Sequence, residues 1–120
     1  MVLSIRDMKK LEGVKPELVA VVERAAKLTA APFNISEGVR TIERQRQLLA
    51  CGKSRTMKSK HLTGEAVDLY PLTQDRKAVD WKGFERLAAV MKQAAKELGT
   101  KIQWGGDWEK FIDKPHFELC

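Results

Sequence analysis

The stretch "WKGFERLAAVMKQAAKELG" (81–99) places Phe84, Leu87, Ala88, Met91, Ala95 and Leu98 three or four residues apart. Only an α-helix brings such positions onto one side. Gly99 is placed to stop it. One apolar stripe cannot be left in water, so the chain must also supply a surface that covers it. A second helix is predicted over "KPELVAVVERAAKLTA" (15–30), where Pro16 suits a first helical position. Its stripe is Leu18, Val21, Val22, Ala25 and Leu28. A third is predicted over "TIERQRQLLACG" (41–52), with Thr41 as N-cap and Gly52 as stop.

The remaining apolar residues are patterned for strands. In "EAVDLY" (65–70), Val67 and Leu69 share one face while Ala66 and Asp68 share the other, and Pro71 limits the strand. "FNIS" (33–36), "KIQW" (101–104) and "PHFEL" (115–119) are further short strands. In the last, His116 and Glu118 lie opposite Phe117 and Leu119. The Gly-started segment "GGDWEKFIDK" and the basic segment "KSRTMKSK" (53–60) are predicted loops. The order of elements implies an α+β fold with a small, at least partly antiparallel sheet flanked by helices.

The 120 residues suit one domain, 1–120, with a modest core. Cys51 and Cys120 have no CxxC spacing and are expected to be reduced thiols. There is no run of 18 apolar residues, so no membrane span is expected. The start, "MVLSIRDMKK", is charged where a secretory signal is apolar, which predicts a cytoplasmic origin. A net charge of +6 draws the chain toward polyanions, whether nucleic acid or an anionic envelope polymer.

The chain has two histidines. If the apolar faces of strands 65–70 and 115–119 both enter the core, Asp68 and His116 face a common cleft, and His61 enters from the turn "HLTG". Two imidazoles and one carboxylate can hold Zn²⁺ and leave a fourth position open. Bound zinc acidifies water and polarises a carbonyl. A nearby carboxylate could then act as base. Asp113, three residues before His116, is a candidate, and so are Asp107, Glu109 and Glu118. The competing interpretation is a surface imidazole and an unrelated strand carboxylate.

Three elements in order resemble the zinc peptidases of the D-Ala-D-Ala carboxypeptidase and VanY type. "SKHLTGEAVDL" fits S-x-H-x-x-G-x-A-x-D, "DKPHFEL" fits the acidic residue three positions before the last zinc ligand, and "GVRTIERQ" resembles G-x-R-[ST]-x-x-x-Q. With "WGGDW" before the last element, the chain looks most like phage endolysins that act as L-alanyl-D-glutamate peptidases. The resemblance implies a hedgehog/DD-peptidase-like fold, with zinc held by His61, Asp68 and His116. It makes Asp113 the general base, later the proton donor to the leaving amine. Arg40 would bind a substrate carboxylate or polarise the scissile carbonyl, and Gln45 and Ser59 would line or support the cleft. Arg40 could instead be a structural residue paired with an acid on the N-terminal helix, and Gln45 could be solvated or orient Arg40. The family base is often Glu, so Asp113 departs from it by one methylene.

The function this implies is hydrolysis of the L-alanyl-D-glutamate bond of the peptidoglycan stem peptide by a monomer. It would wait in the host cytoplasm and reach the wall through a membrane pore. No separate cell-wall-binding domain is expected. Lys53, Arg55, Lys58 and Lys60 could attract anionic envelope polymers or simply be solvated. Two alternatives stand beside it. One is a D,D-carboxypeptidase or dipeptidase of the same fold. The other is a non-enzymatic basic module binding nucleic acid, disfavoured by only eight aromatics, with Trp104 and Trp108 near the candidate site and away from the basic loop.

Overall fold

The computed structural model describes residues 1–52 and 59–120. Four helices, α1 (Ile5–Lys10), α2 (Pro16–Leu28), α3 (Ile42–Ala50) and α4 (Phe84–Leu98), accompany four strands, β1 (Phe33–Glu37), β2 (Ala66–Pro71), β3 (Ile102–Trp104) and β4 (His116–Leu119). The strands form one sheet in the order β1-β2-β4-β3. Every pairing is antiparallel. The α+β expectation holds, and the sheet is antiparallel throughout.

Parity along each strand divides the sheet into two chemically different faces. Phe33, Ile35, Val67, Leu69 and Phe117 point into the core, where they meet α2 and α4. Leu18, Val21 and Val22 of α2 and Met91 of α4 have no solvent exposure. Burying a side chain of this size contributes about 1.5–3 kcal/mol. Two expected core positions differ: Leu28 and Leu98 are 38% and 46% exposed. Each is the last residue of its helix, beyond the packed turns.

Helix α1 is an element the sequence analysis did not assign. Ser4 caps it, accepting from the Asp7 N–H, while the Asp7 carboxylate accepts from Ser4. This S-x-x-D capping box was the signal to read. Asp7 is buried and also accepts the Ile35 N–H at 3.0 Å, which fastens α1 to β1. Thr41 caps α3 as expected, accepting from Arg44 N–H. No helix among the described residues is long and apolar enough to cross a membrane. Of the basic segment 53–60, Lys53, Arg55 and Lys58 lie outside the described residues.

Candidate metal centre

The face of the sheet turned away from the core carries the chemistry. Asp68 on β2 stands directly opposite His116 on β4. His61 sits in a 3-10 turn, Lys60–Thr63, just before β2. His61 Nε2 lies 3.2 Å and His116 Nδ1 3.3 Å from Asp68 Oδ1. One ligand atom from each of His61, Asp68 and His116 falls within 4.8 Å of the others. His61 is thus not a surface imidazole unrelated to Asp68: it is buried, and three separate segments converge.

Backbone geometry explains why His61 points inward. Its Nδ1 is 2.8 Å from the Gly38 carbonyl, which can only accept, so Nδ1 carries the proton and Nε2 offers a lone pair. The Arg40 N–H also donates to the His61 carbonyl at 2.9 Å. Gly38 has to be glycine: a Cβ there would lie 1.9 Å from the Lys10 carbonyl oxygen at the end of α1. The Gly of the G-x-R element thus lets the chain approach α1 closely while its carbonyl holds His61. Ser59 supports the same turn, accepting from the His61 N–H at 3.2 Å.

A β-bulge between Ile35 and Glu37 brings Glu37 opposite Asp68. Bulges re-aim side chains in this way beside functional sites. Glu37 receives Arg40 in a fork, with Nε–Oε1 at 2.8 Å and Nη2–Oε2 at 3.0 Å. Arg40 Nη1 donates to Gln45 Oε1 at 2.7 Å, and Nη2 is 3.9 Å from Asp68 Oδ2. Arg40 is therefore paired with Glu37 on β1, not with an acid on the N-terminal helix. Gln45 is fully buried and orients Arg40, which removes its solvated alternative.

Charge is concentrated here. Burial raises the Asp68 pKa, but when the rings of His116 and His61 carry protons on both nitrogens, as the metal-free protein allows, their hydrogen bonds and positive charge outweigh it and hold the carboxyl well below the ordinary range. Burial lowers the pKa of His116, yet hydrogen bonds to Asp68 and Glu118 leave it above the usual imidazole value. Asp113 lies at the rim. Although its surface is largely open, the protein bulk around its carboxyl pushes its pKa up, Asp68 adds to this, and His116, His61 and Arg40 pull it back. Tyr70 is half-buried, and its pKa is raised by burial and then by Asp68, Asp113 and Glu37.

The rival carboxylates are engaged or exposed. Asp107 is exposed and pairs with Lys92 at 2.6 Å, and Glu109 is exposed. Glu118 accepts from His116. Sequence reasoning missed Glu37 as a support of the site and held Gly38 only as the first position of the G-x-R element, and the bulge that delivers Glu37 leaves no local signature. Trp108 is near the centre, 5.2 Å from the His116 ring. Trp104 is buried on Phe117 and donates from its indole to the Lys114 carbonyl, pinning the segment that carries Asp113.

The model of the phage L-alanyl-D-glutamate peptidase family matches residues 1–120. The L-alanyl-D-glutamate peptidase of Escherichia phage T5 is 42% identical over 106 residues, covering 83% of this chain and 76% of the relative. That of Listeria phage A118 is 40% identical over 85 residues, 71% of this chain but only 29% of the relative. The crystal structure of the Serratia marcescens L-Ala D-Glu endopeptidase ChiX superposes with a TM-score of 0.91 at 37% identity, covering 98% of this chain and 89% of that one. With its whole length matched, the chain belongs to the phage L-alanyl-D-glutamate peptidase family.

Proposed function

We propose that the chain is a zinc-dependent endopeptidase that hydrolyses the L-alanyl-D-glutamate bond of peptidoglycan stem peptides in host lysis. The observation that carries the metal is the convergence of His61, Asp68 and His116 within 4.8 Å. Two imidazole nitrogens and a carboxylate suit zinc in its open, three-ligand form. A bound zinc would supply Lewis acidity toward water and the scissile carbonyl. The named specificity of the relatives supports the bond and the substrate.

The protein residues then divide the work. Asp113 takes the proton of the attacking water and returns it to the leaving amine as the C–N bond breaks. Its raised pKa suits a group that must both accept and donate. Arg40 has five N–H donors, of which three are used by Glu37 and Gln45. Of the other two, the one on Nη2 faces Asp68 Oδ2 at 3.9 Å and the second one on Nη1 can donate to a substrate oxygen, and the fork to Glu37 fixes the plane in which they point. Gln45 and Ser59 hold Arg40 and His61 in place.

Mass spectrometry of fragments released from purified peptidoglycan tests the specificity. A new N-terminal D-Glu is expected. Release of D-Ala instead would identify a D,D-carboxypeptidase of the same fold. Retention of uncut stem peptides by zinc-loaded protein would refute both.

A further inference from the structure

His116 is held differently from His61. His61 gives its spare ring proton to a neutral backbone carbonyl. His116 Nε2 lies 2.8 Å from Glu118 Oε1, so its second nitrogen faces a carboxylate. Glu118 is two residues along β4 on the same face, and its side chain is 15% exposed. Its other oxygen, Oε2, is 3.2 Å from Lys60 Nζ. Lys60 Nζ also donates to the Leu119 carbonyl. Lys60 immediately precedes His61 in the 3-10 turn. The turn that supplies one imidazole thus also grips the strand that supplies the other.

We propose that Glu118, clamped by Lys60, is a positioning residue for the metal centre. Resting on the zinc reading above, it fixes the His116 tautomer with the proton on Nε2, so that Nδ1 is the nitrogen offered to the metal. A carboxylate can only accept at this distance, and both of its oxygens are engaged. This removes Glu118 from the candidates for general base and gives it another task. A carboxylate behind a ligating imidazole fixes the ring and raises its basicity. The two histidines consequently offer different nitrogens, Nε2 from His61 and Nδ1 from His116. Lys60 holds the carboxylate against the ring and ties together the two segments that bear the histidines.

The test compares zinc affinity of metal-stripped wild type, Glu118→Ala, Glu118→Gln and Lys60→Met by competition with a chromophoric chelator. Loss of such a partner typically costs 10–100-fold in metal affinity. Glu118→Ala should fall in that range. Glu118→Gln keeps an acceptor oxygen and should stay within about fivefold of wild type, as a positioning role requires. Lys60→Met should fall between them. Long-range proton–nitrogen NMR spectra of the zinc-loaded wild type should show His116 protonated at Nε2 and His61 at Nδ1. The inference is overturned if Glu118→Ala binds zinc as tightly as wild type, or if His116 carries its proton on Nδ1. Should Glu118→Ala fail to fold, the wild-type spectrum and the Lys60→Met affinity decide, and Lys60→Met binding zinc as tightly as wild type would then overturn the inference. Wild type that takes up no zinc would overturn the metal reading and this inference with it, whereas binding unaffected by Glu118→Ala overturns the inference alone.

Discussion

Gly105 sits where the segment bearing Asp113 folds back on the end of β3. The Asp113 N–H donates to the Gly105 carbonyl at 3.0 Å. A Cβ on residue 105 would lie 2.2 Å from the Asp113 carbonyl oxygen and 3.1 Å from its Cβ. Real Cβ atoms do not approach closer than 3.0 Å. In Gly105→Ala the Asp113 backbone must therefore retreat by at least about 0.8 Å, the gap between 2.2 and 3.0 Å. The obstacle is main chain, so no side-chain rotation relieves it. Overpacking of this kind costs about 1–3 kcal/mol, and a reacting group misplaced by roughly 1 Å can lose about 10²-fold in rate. The assay is kcat/KM on a soluble stem-peptide substrate, with zinc content and melting temperature measured on the same samples. Zinc should be kept, because His61, Asp68 and His116 are not displaced by the clash itself. Gly99→Ala is the control. Its φ is +70° with nothing within 4 Å of the added carbon, so it should cost about 1–2 kcal/mol of stability through the left-handed backbone alone and leave turnover unchanged. Folded, zinc-loaded Gly105→Ala that cuts within threefold of wild type would refute the claim that this contact sets the position of Asp113.

Three other outcomes follow from the same site. Asp113→Asn should keep zinc and lose on the order of 10² or more in rate, while Asp107→Asn and Glu109→Gln stay near wild type; the reverse pattern moves the base. Arg40→Lys loses the planar fork to Glu37 and should lower kcat/KM on the order of tenfold or more with zinc content unchanged, and wild-type turnover in Arg40→Ala would leave the residue a structural one. In the metal-free protein, Asp68 has its folded pKa depressed below the ordinary 3.8. Its stabilising contribution is thus present above that value and lost as pH falls through the folded pKa. Urea denaturation should show stability falling below about pH 4 in part through this group, with a shallower fall in Asp68→Asn; identical slopes would show that Asp68 contributes nothing.

The metal set was legible because it depends on parity and order. Alternation puts Asp68 and His116 opposite the apolar residues of their strands, and once both apolar faces are buried the two must share a cleft. Asp113 stood out as a candidate by its three-residue distance to His116 and by the family resemblance. Ser59 and Gln45 were legible as supports through the resemblance, but the contacts by which the other supports act were not legible, since they depend on approaches across the fold. Gln45 lies in "ERQRQ", a run that reads as solvated, yet it is fully buried and accepts from Arg40. Glu37 looks like the end of an exposed strand until the bulge turns it toward Asp68. Glu118 was visible as a carboxylate on the right face, but its two partners come from His116 beside it and from a lysine 58 residues earlier in the chain, as the numbering of Lys60 and Glu118 shows. Helix α1 was legible in principle from Ser4 and Asp7, a capping pair too short to raise a periodic signal.

The strand order β1-β2-β4-β3 has a consequence for how the molecule comes into being. β3 is made before β4, yet among the described strands its only sheet partner is β4. On a ribosome, β1 and β2 can pair as soon as both have emerged, and α2 and α4 can dock on them. β3 then waits at the margin without a neighbour until β4 arrives between it and β2. That last insertion closes long-range contacts, which form slowly compared with local ones. It also carries in His116, so the sheet and the candidate metal centre are completed in one event. A half-made chain therefore has no hydrolytic centre, and any damage that lets β4 slip out dismantles the enzyme and its sheet together.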